Sequence, residues 1–178
     1  MTFQEAVRVL LATPNDVSRL LAVERSAGEM FRALPGLQAL ADGEPIAEAR
    51  HREWVAQGTE WVATDREGVP VGFLAGEVFD DVLHVWEMSV HREWQGRGIG
   101  RALMEAAVAY ARAAGLQALT LTTFRDVPWN APFYVRLGFA PLTDGELDVR
   151  LQGVLAHEAE LGLPTHRRCA MRYRLERA

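Results

Sequence analysis

The chain has 178 residues, a mass of 19.8 kDa, 49% hydrophobic and 24% charged residues and a mean hydropathy of −0.06. That composition excludes a disordered or fibrous polypeptide and suits one globular domain, which at this size buries roughly 70% of its unfolded surface. With 19 basic and 24 acidic residues the net charge is −5, which argues against a polyanion such as nucleic acid as partner.

All the basic residues are Arg and none is Lys, so Walker-A phosphate binding and Schiff-base chemistry are excluded. One cysteine, Cys169, allows neither an internal disulfide nor a zinc cluster, and no metal is expected. Met1–Glu5 lacks a basic segment leading into an apolar one, and no run approaches the ~20 apolar residues of a membrane span, so cytoplasmic residence without membrane attachment is the expectation.

In chain order, Val7–Ala12 reads as a first strand. Thr13-Pro14-Asn15-Asp16 reads as a helix start, with Thr13 as N-cap, Pro14 at the first helical position and Asp16 closing a capping-box-like pair. Pro45–Gln57 is a second helical stretch stopped by Gly58. Glu60–Asp65, Pro70–Phe79 and Val82–Val90, separated by turn-length segments, form an antiparallel meander.

A glycine-rich turn and a helix over Arg101–Ala114, ended by Gly115, come next, then a strand over Leu119–Thr123. Strand, helix and strand in this order predict one βαβ crossover inside an otherwise antiparallel sheet. Asn130–Leu137 predicts a short helix with Asn130 as N-cap, and a strand starts at Phe139. Glu146–Leu161 predicts another helix, and Cys169–Leu175 a half-buried last strand. The fold class is therefore α/β with a mixed, mostly antiparallel sheet, in one domain over residues 1–178.

Gln95-Gly96-Arg97-Gly98-Ile99-Gly100-Arg101 lies between a strand and a helix. The first amides of a helix have no intrahelical partner and carry about half a positive charge, so small residues there make a phosphate cradle that needs no Lys. The dinucleotide fingerprint G-x-G-x-x-G fails in every register, because the sixth residue is Arg101 from Gly96 and Leu103 from Gly98.

The pattern that fits is Q/R-x-x-G-x-G/A over Gln95–Gly100, and with it the chain resembles the GCN5-related N-acetyltransferase (GNAT) family. Tyr134-Val135-Arg136-Leu137-Gly138-Phe139 matches that family's Y-x-x-L-G-F element 34 residues after Gly100. The element order agrees over Val7–Leu142, with the motif-bearing part at 83–139.

The resemblance implies the acyl-CoA N-acyltransferase fold and acetyl-CoA as co-substrate. It places the coenzyme diphosphate on the backbone of Gly96, Arg97, Gly98, Ile99, Gly100 and Arg101 beside Gln95, and the pantetheine arm on Met88, Ser89 and Val90. Asn130 and Phe133 complete the candidate coenzyme contacts, although Asn130 stands only four residues before Tyr134, closer than the family habit. Tyr134 becomes the expected general acid for the departing thiolate; its structural reading is a core tyrosine paired with Phe133.

An amine with pKa about 10.4 must lose a proton before attacking a thioester, a gap of roughly 4–5 kcal/mol at neutrality. Glu87 and His84, on the strand before the cradle, are both candidate bases and both readable as ordinary polar strand residues, the remaining alternative being solvent or no dedicated base. Alternation puts His84 on the face of Trp86 and Met88, with Glu87 opposite unless a bulge intervenes. The acceptor pocket is expected around Glu24, Glu29, Met30, Phe31 and Trp86, with carboxylates holding a cationic amine and aromatics its stem.

The Glu146–Leu161 helix departs from the short hairpin usual in the family. His157-Glu158-Ala159-Glu160-Leu161 lacks the second His of a zinc-protease helix, and Cys169, on an apolar strand face, reads as a structural thiol.

The expected function is transfer of an acetyl group from acetyl-CoA to a primary amine of a small molecule or peptide, by direct attack in a ternary complex. The alternative is a non-catalytic acyl-CoA or nucleotide-phosphate binding module. The sequence leaves open the identity of the amine and whether the chain forms a homodimer.

Overall fold

The computed structural model describes residues 7–176, so the sequence reading of Met1–Glu5 lies outside the described residues. Seven strands are β1 (Arg8–Leu11), β2 (Glu60–Thr64), β3 (Pro70–Phe79), β4 (Val82–Val90), β5 (Ala118–Phe124), β6 (Ala140–Pro141) and β7 (Arg168–Arg174). The α-helices among the described residues are α1 (Val17–Gly28), α2 (Glu48–Gln57), α3 (Ile99–Ala113), α4 (Ala131–Arg136) and α5 (Val149–Glu160). The strands form one mixed sheet in the order β1-β2-β3-β4-β5-β7-β6. Pairings β1–β2, β2–β3, β5–β7 and β6–β7 are antiparallel, and α3 joins the neighbouring strands β4 and β5 in the chain. No helix among the described residues is long and apolar enough to cross a membrane.

The chain divides into two compact units, one made of residues up to Glu77 with Val85–Tyr110, the other of Val78–His84 with residues from Ala111 onward. In the first unit, β2 and the start of β3 are buried along their whole length because helices cover both faces. Val62 and Phe73 join Leu20 and Val23 of α1 and Trp54 of α2 in one core cluster. The alternate residue Gly72 lies under α3, where a Cβ would stand 3.2 Å from Ile99 Cγ2.

That core also holds a charged-type pair: His51 and Glu60 are both fully buried, with Nδ1 2.6 Å from Oε1. The His51 ring packs edge-on against Phe73 at 5.3 Å, and burial raises the Glu60 pKa above its usual value.

In the second unit, rings of Tyr134, Phe139 and Tyr173 follow one another at 5.7 and 5.5 Å. Gly138 sits at φ 101° with Tyr173 Cε2 2.9 Å from where a Cβ would be, so only glycine fits between α4 and this aromatic row. α5 starts at Asp148, whose side chain accepts from the Leu151 N–H at 2.8 Å. It docks on β5 and β7 through Arg150, which donates to Thr120 Oγ1 at 3.1 Å, and through Glu158, which Arg168 grips with two bonds of 2.9 and 2.8 Å.

Most expected elements are present, with four corrections. α1 begins at Val17 with Asp16, not Thr13, at the N-cap; the Asp16 carboxylate instead reaches back to the Thr13 N–H and hydroxyl at 2.8 and 2.7 Å. The second helix starts at Glu48, because Pro45 to Ala47 remain outside the helix. The strand expected from Phe139 shrinks to Ala140–Pro141, as Pro141 has no N–H to extend a ladder. Asn130 occupies the N-cap position of α4 without a capping bond from its side chain.

Candidate active site

The cradle belongs to the first unit. β4 ends at Val90, a 3-10 turn occupies Arg92–Trp94, and α3 starts at Ile99. Gly96 and Gly98 have φ of 73° and 81°, and a Cβ at either would meet nothing within 4 Å. These left-handed positions turn the chain so that it enters α3 with its first amides leading. The helical bonding starts at the Ala102 N–H, which donates to the Gly98 carbonyl at 3.0 Å; helix geometry leaves the Ile99, Gly100 and Arg101 amides for an external acceptor. The space over Gly96 and Gly98 is open.

Side chains brace this turn. Gln95 Nε2 donates to the Val90 carbonyl at 2.9 Å, so this side chain fastens the loop to the strand end. The Arg97 guanidinium donates to the Glu93 carbonyl at 3.1 Å and lies 4.8 Å over the Trp94 ring, which turns it back on the loop. Arg101 is half-exposed with its guanidinium 3.9 Å from Glu105. From α1, Ser26 Oγ accepts from the Arg92 N–H at 3.1 Å, tying that helix to the start of the turn.

Two carboxylates, Glu24 of α1 and Glu87 of β4, belong to the same unit. Glu24, half-buried on α1, accepts from the Ile46 N–H at 3.0 Å. Burial, and then the charge of Glu87 on β4, push its pKa up to about 7; the Ile46 N–H, His51 and Arg25 pull the other way. Glu87 Oε1 accepts from Ser89 Oγ at 2.8 Å. A carboxyl poised near neutrality can accept a proton at working pH and release it again.

Other expected site residues have different company. Glu29 is held by Arg32 through bonds of 3.1 and 3.0 Å, and Arg32 also grips Asp42 at 2.9 Å. This ion pair keeps the Glu29 carboxyl below its usual pKa and fixes the turn it lies in. The Trp86 indole donates to Glu77 at 2.8 Å and packs on the α1–α2 core, while Phe31 and Met30 are half-buried in the adjoining 3-10 turn.

His84 belongs to the second unit. It is fully buried, its Nδ1 lies 2.9 Å from Thr120 Oγ1, and burial followed by the Arg150 charge pushes its pKa down to about 3. These properties argue against it as a base. Tyr134, 8% exposed, sits in the same unit with its ring 5.3 Å from Phe133. Cys169 is buried, which raises its thiol pKa and makes it a poor nucleophile. No cluster of three metal-ligating side chains occurs among the described residues.

The Acetyltransferase (GNAT) family model matches residues 28–139. An aminoglycoside N(6')-acetyltransferase type 1 of Stenotrophomonas maltophilia is 40% identical over 85 residues, which is 47% of this chain and 44% of that protein. A mycothiol acetyltransferase of Propionibacterium freudenreichii subsp. shermanii is 27% identical over 140 residues, 76% of this chain and 44% of that protein. The matches thus span less than half the length of these curated relatives.

Among solved structures, a PaiA N-acetyltransferase from Thermoplasma acidophilum in complex with coenzyme A superposes with a TM-score of 0.72 at 14% identity. That likeness covers 96% of this chain and 99% of the other, and it shows the fold. With the family model covering more than half of its residues, the chain belongs to the GNAT acetyltransferase family.

Proposed function

We propose that the chain transfers the acetyl group of acetyl-CoA to a primary amine of a small molecule or peptide, in one direct step within a ternary complex. The observation that carries this reading is the cradle: two unobstructed left-handed glycines leading into the start of α3, whose first amides have no intrahelical partner. The family is one of acetyl-CoA-dependent N-acetyltransferases, and one relative is named for N-acetylation of an aminoglycoside, a small molecule. A cytoplasmic setting suits a chain with one buried cysteine and a metabolic thioester as donor.

In this reading the Gly96–Arg101 amides hold the diphosphate and the Met88–Val90 edge holds the pantetheine arm. The amine loses its proton to a carboxylate beside β4 and its lone pair attacks the thioester carbonyl. As the carbon–sulfur bond breaks, the sulfur takes up a proton, a role that the resemblance to the family assigns to Tyr134. Trp86 and Phe31 bound the acceptor side, whereas Glu29 contributes by fixing its turn.

Incubation with acetyl-CoA and an amine panel tests the reading, following free thiol and the mass of acetylated product together. Thiol and product rising one for one is the expected result; thiol without product means hydrolysis and contradicts it. Tyr134→Phe should lower kcat by about a hundredfold with the KM for acetyl-CoA unchanged, the scale of a lost general acid. Coenzyme binding without turnover on any amine would favour the non-catalytic module.

A further inference from the structure

We propose that Ser26, in the last turn of α1, is a positioning residue for the coenzyme: its hydroxyl oxygen holds the root of the turn that aims the cradle amides. This rests on the reading of the cradle as the diphosphate site and adds to it a residue outside the family's two motifs.

Two consecutive amides at the root of the turn are held from two different elements. The His91 N–H donates to the Val71 carbonyl of β3 at 2.9 Å, and the Arg92 N–H donates to Ser26 Oγ at 3.1 Å. Core packing sets where that oxygen stands. Val23 and Leu20, three and six residues before Ser26, are buried in the cluster that contains Phe73 of β3. Spacing of three residues along a helix carries Ser26 on from that buried side, and its side chain is half-buried. Three successive residues of β3 therefore serve the turn: Val71 through its carbonyl, Gly72 by admitting Ile99 of α3, and Phe73 in the cluster that seats α1.

Beyond Arg92 the turn is cross-linked to itself, so its root sets its tip. The Trp94 N–H donates to the His91 carbonyl at 2.8 Å, the Gln95 N–H to the Arg92 carbonyl at 3.4 Å, and the Arg97 guanidinium to the Glu93 carbonyl at 3.1 Å. Gly96 and Gly98 then take positive φ, and glycine is the residue with the most backbone freedom to lose. A loop that must be ordered by its ligand binds that ligand more weakly than one ordered beforehand. The Ser26 bond removes part of this freedom before the coenzyme arrives, and it makes occupation of the cradle felt at the end of α1.

Three measurements on the whole chain test the assignment: calorimetric titration with coenzyme A, hydrogen exchange of the Arg92 amide followed by NMR, and steady-state kinetics with acetyl-CoA. Ser26→Ala should speed exchange at Arg92 and weaken coenzyme A binding by about three- to tenfold, the scale of one lost hydrogen bond. The KM for acetyl-CoA should rise by a similar factor and kcat should change by less, because the reacting atoms are untouched. Ser26→Thr keeps the oxygen and should bind coenzyme A within about twofold of wild type, whereas Ser26→Val should bind it as weakly as Ser26→Ala. Thr and Val share a shape, so the difference between these two variants reads the oxygen and not the packing.

The assignment is overturned by a Ser26→Ala protein that binds coenzyme A as tightly as wild type, by unchanged exchange at Arg92, or by equal losses in Ser26→Thr and Ser26→Val. A chain that binds coenzyme A, responds to these variants as stated and acetylates no amine keeps the assignment and removes the transfer reading. Failure of the wild type to bind coenzyme A removes both.

Discussion

His84 shows how far a residue's role depends on what surrounds it. Its sequence position, three residues before Glu87 on the strand leading to the cradle, and its ordinary pKa of 6.5 recommend it as a base. Folding buries it against Thr120 and near Arg150, and the imidazole stays neutral down to about pH 3. The unfolded chain protonates this ring near pH 6.5, so between 6.5 and 3 the unfolded state binds more protons and stability falls as the pH drops.

The slope from this one group approaches about 1.4 kcal/mol per pH unit. Glu24, raised to about 7 from 4.5, works in the opposite direction, its contribution falling as pH rises through that window. The comparison is therefore between His84→Asn and wild type by denaturant unfolding at pH 4.5 and 7. The wild type should lose more stability than the variant on acidification; parallel losses would contradict the buried neutral ring.

Residues 95–101 and Tyr134 could be singled out from the sequence because they lie in contiguous motifs. The state of Glu24 could not, since it depends on Ile46 and Glu87, 22 and 63 positions away in the sequence.

Among the elements, α3 and its turn were the most legible, because glycine spacing and helical periodicity are both local signals. What positions α3 was less visible. Gly72 in β3 lets the helix approach the sheet so closely that a Cβ would lie 3.2 Å from both Ile99 Cγ2 and the Ser89 carbonyl oxygen. An isolated glycine inside an apolar strand is the available sequence signal for such an approach.

Gly72→Ala should cost about 1–3 kcal/mol by overpacking and weaken coenzyme A binding, as the start of α3 is pushed outward. Thermal unfolding and calorimetric titration check both; unchanged affinity in a folded Gly72→Ala protein would separate α3 placement from the cradle. β6 and the start of α1 were misjudged for local reasons, a proline that cannot extend a ladder and an Asp16 carboxylate that turns back to Thr13 one step before the helix. α5, by contrast, was visible from its periodicity, and its docking on β5 and β7 through Arg150 and Glu158 explains why polar residues recur on its inner face.

Across the whole molecule, the order of strands and helices could be read because most segments change hydrophobic period at a glycine or proline, the Asp80-Asp81 turn between β3 and β4 being an exception. Strand neighbours that are distant in sequence, such as β7 between β5 and β6, are tertiary facts that no local pattern contains. The same holds for the carboxylates: a chain of net charge −5 has many, and only packing decides which is ion-paired, like Glu29, and which is left near neutrality, like Glu24.

In the proposed function, main-chain donors at the start of α3 seize the diphosphate of coenzyme A. Comparing coenzyme A with pantetheine, which lacks the diphosphate, by calorimetry and backbone amide NMR tests it most directly. Pantetheine should bind at least a hundredfold more weakly, and coenzyme-specific amide shifts should concentrate at residues 96–101. Equal affinity for the two compounds, or shifts that spare those residues, would contradict it.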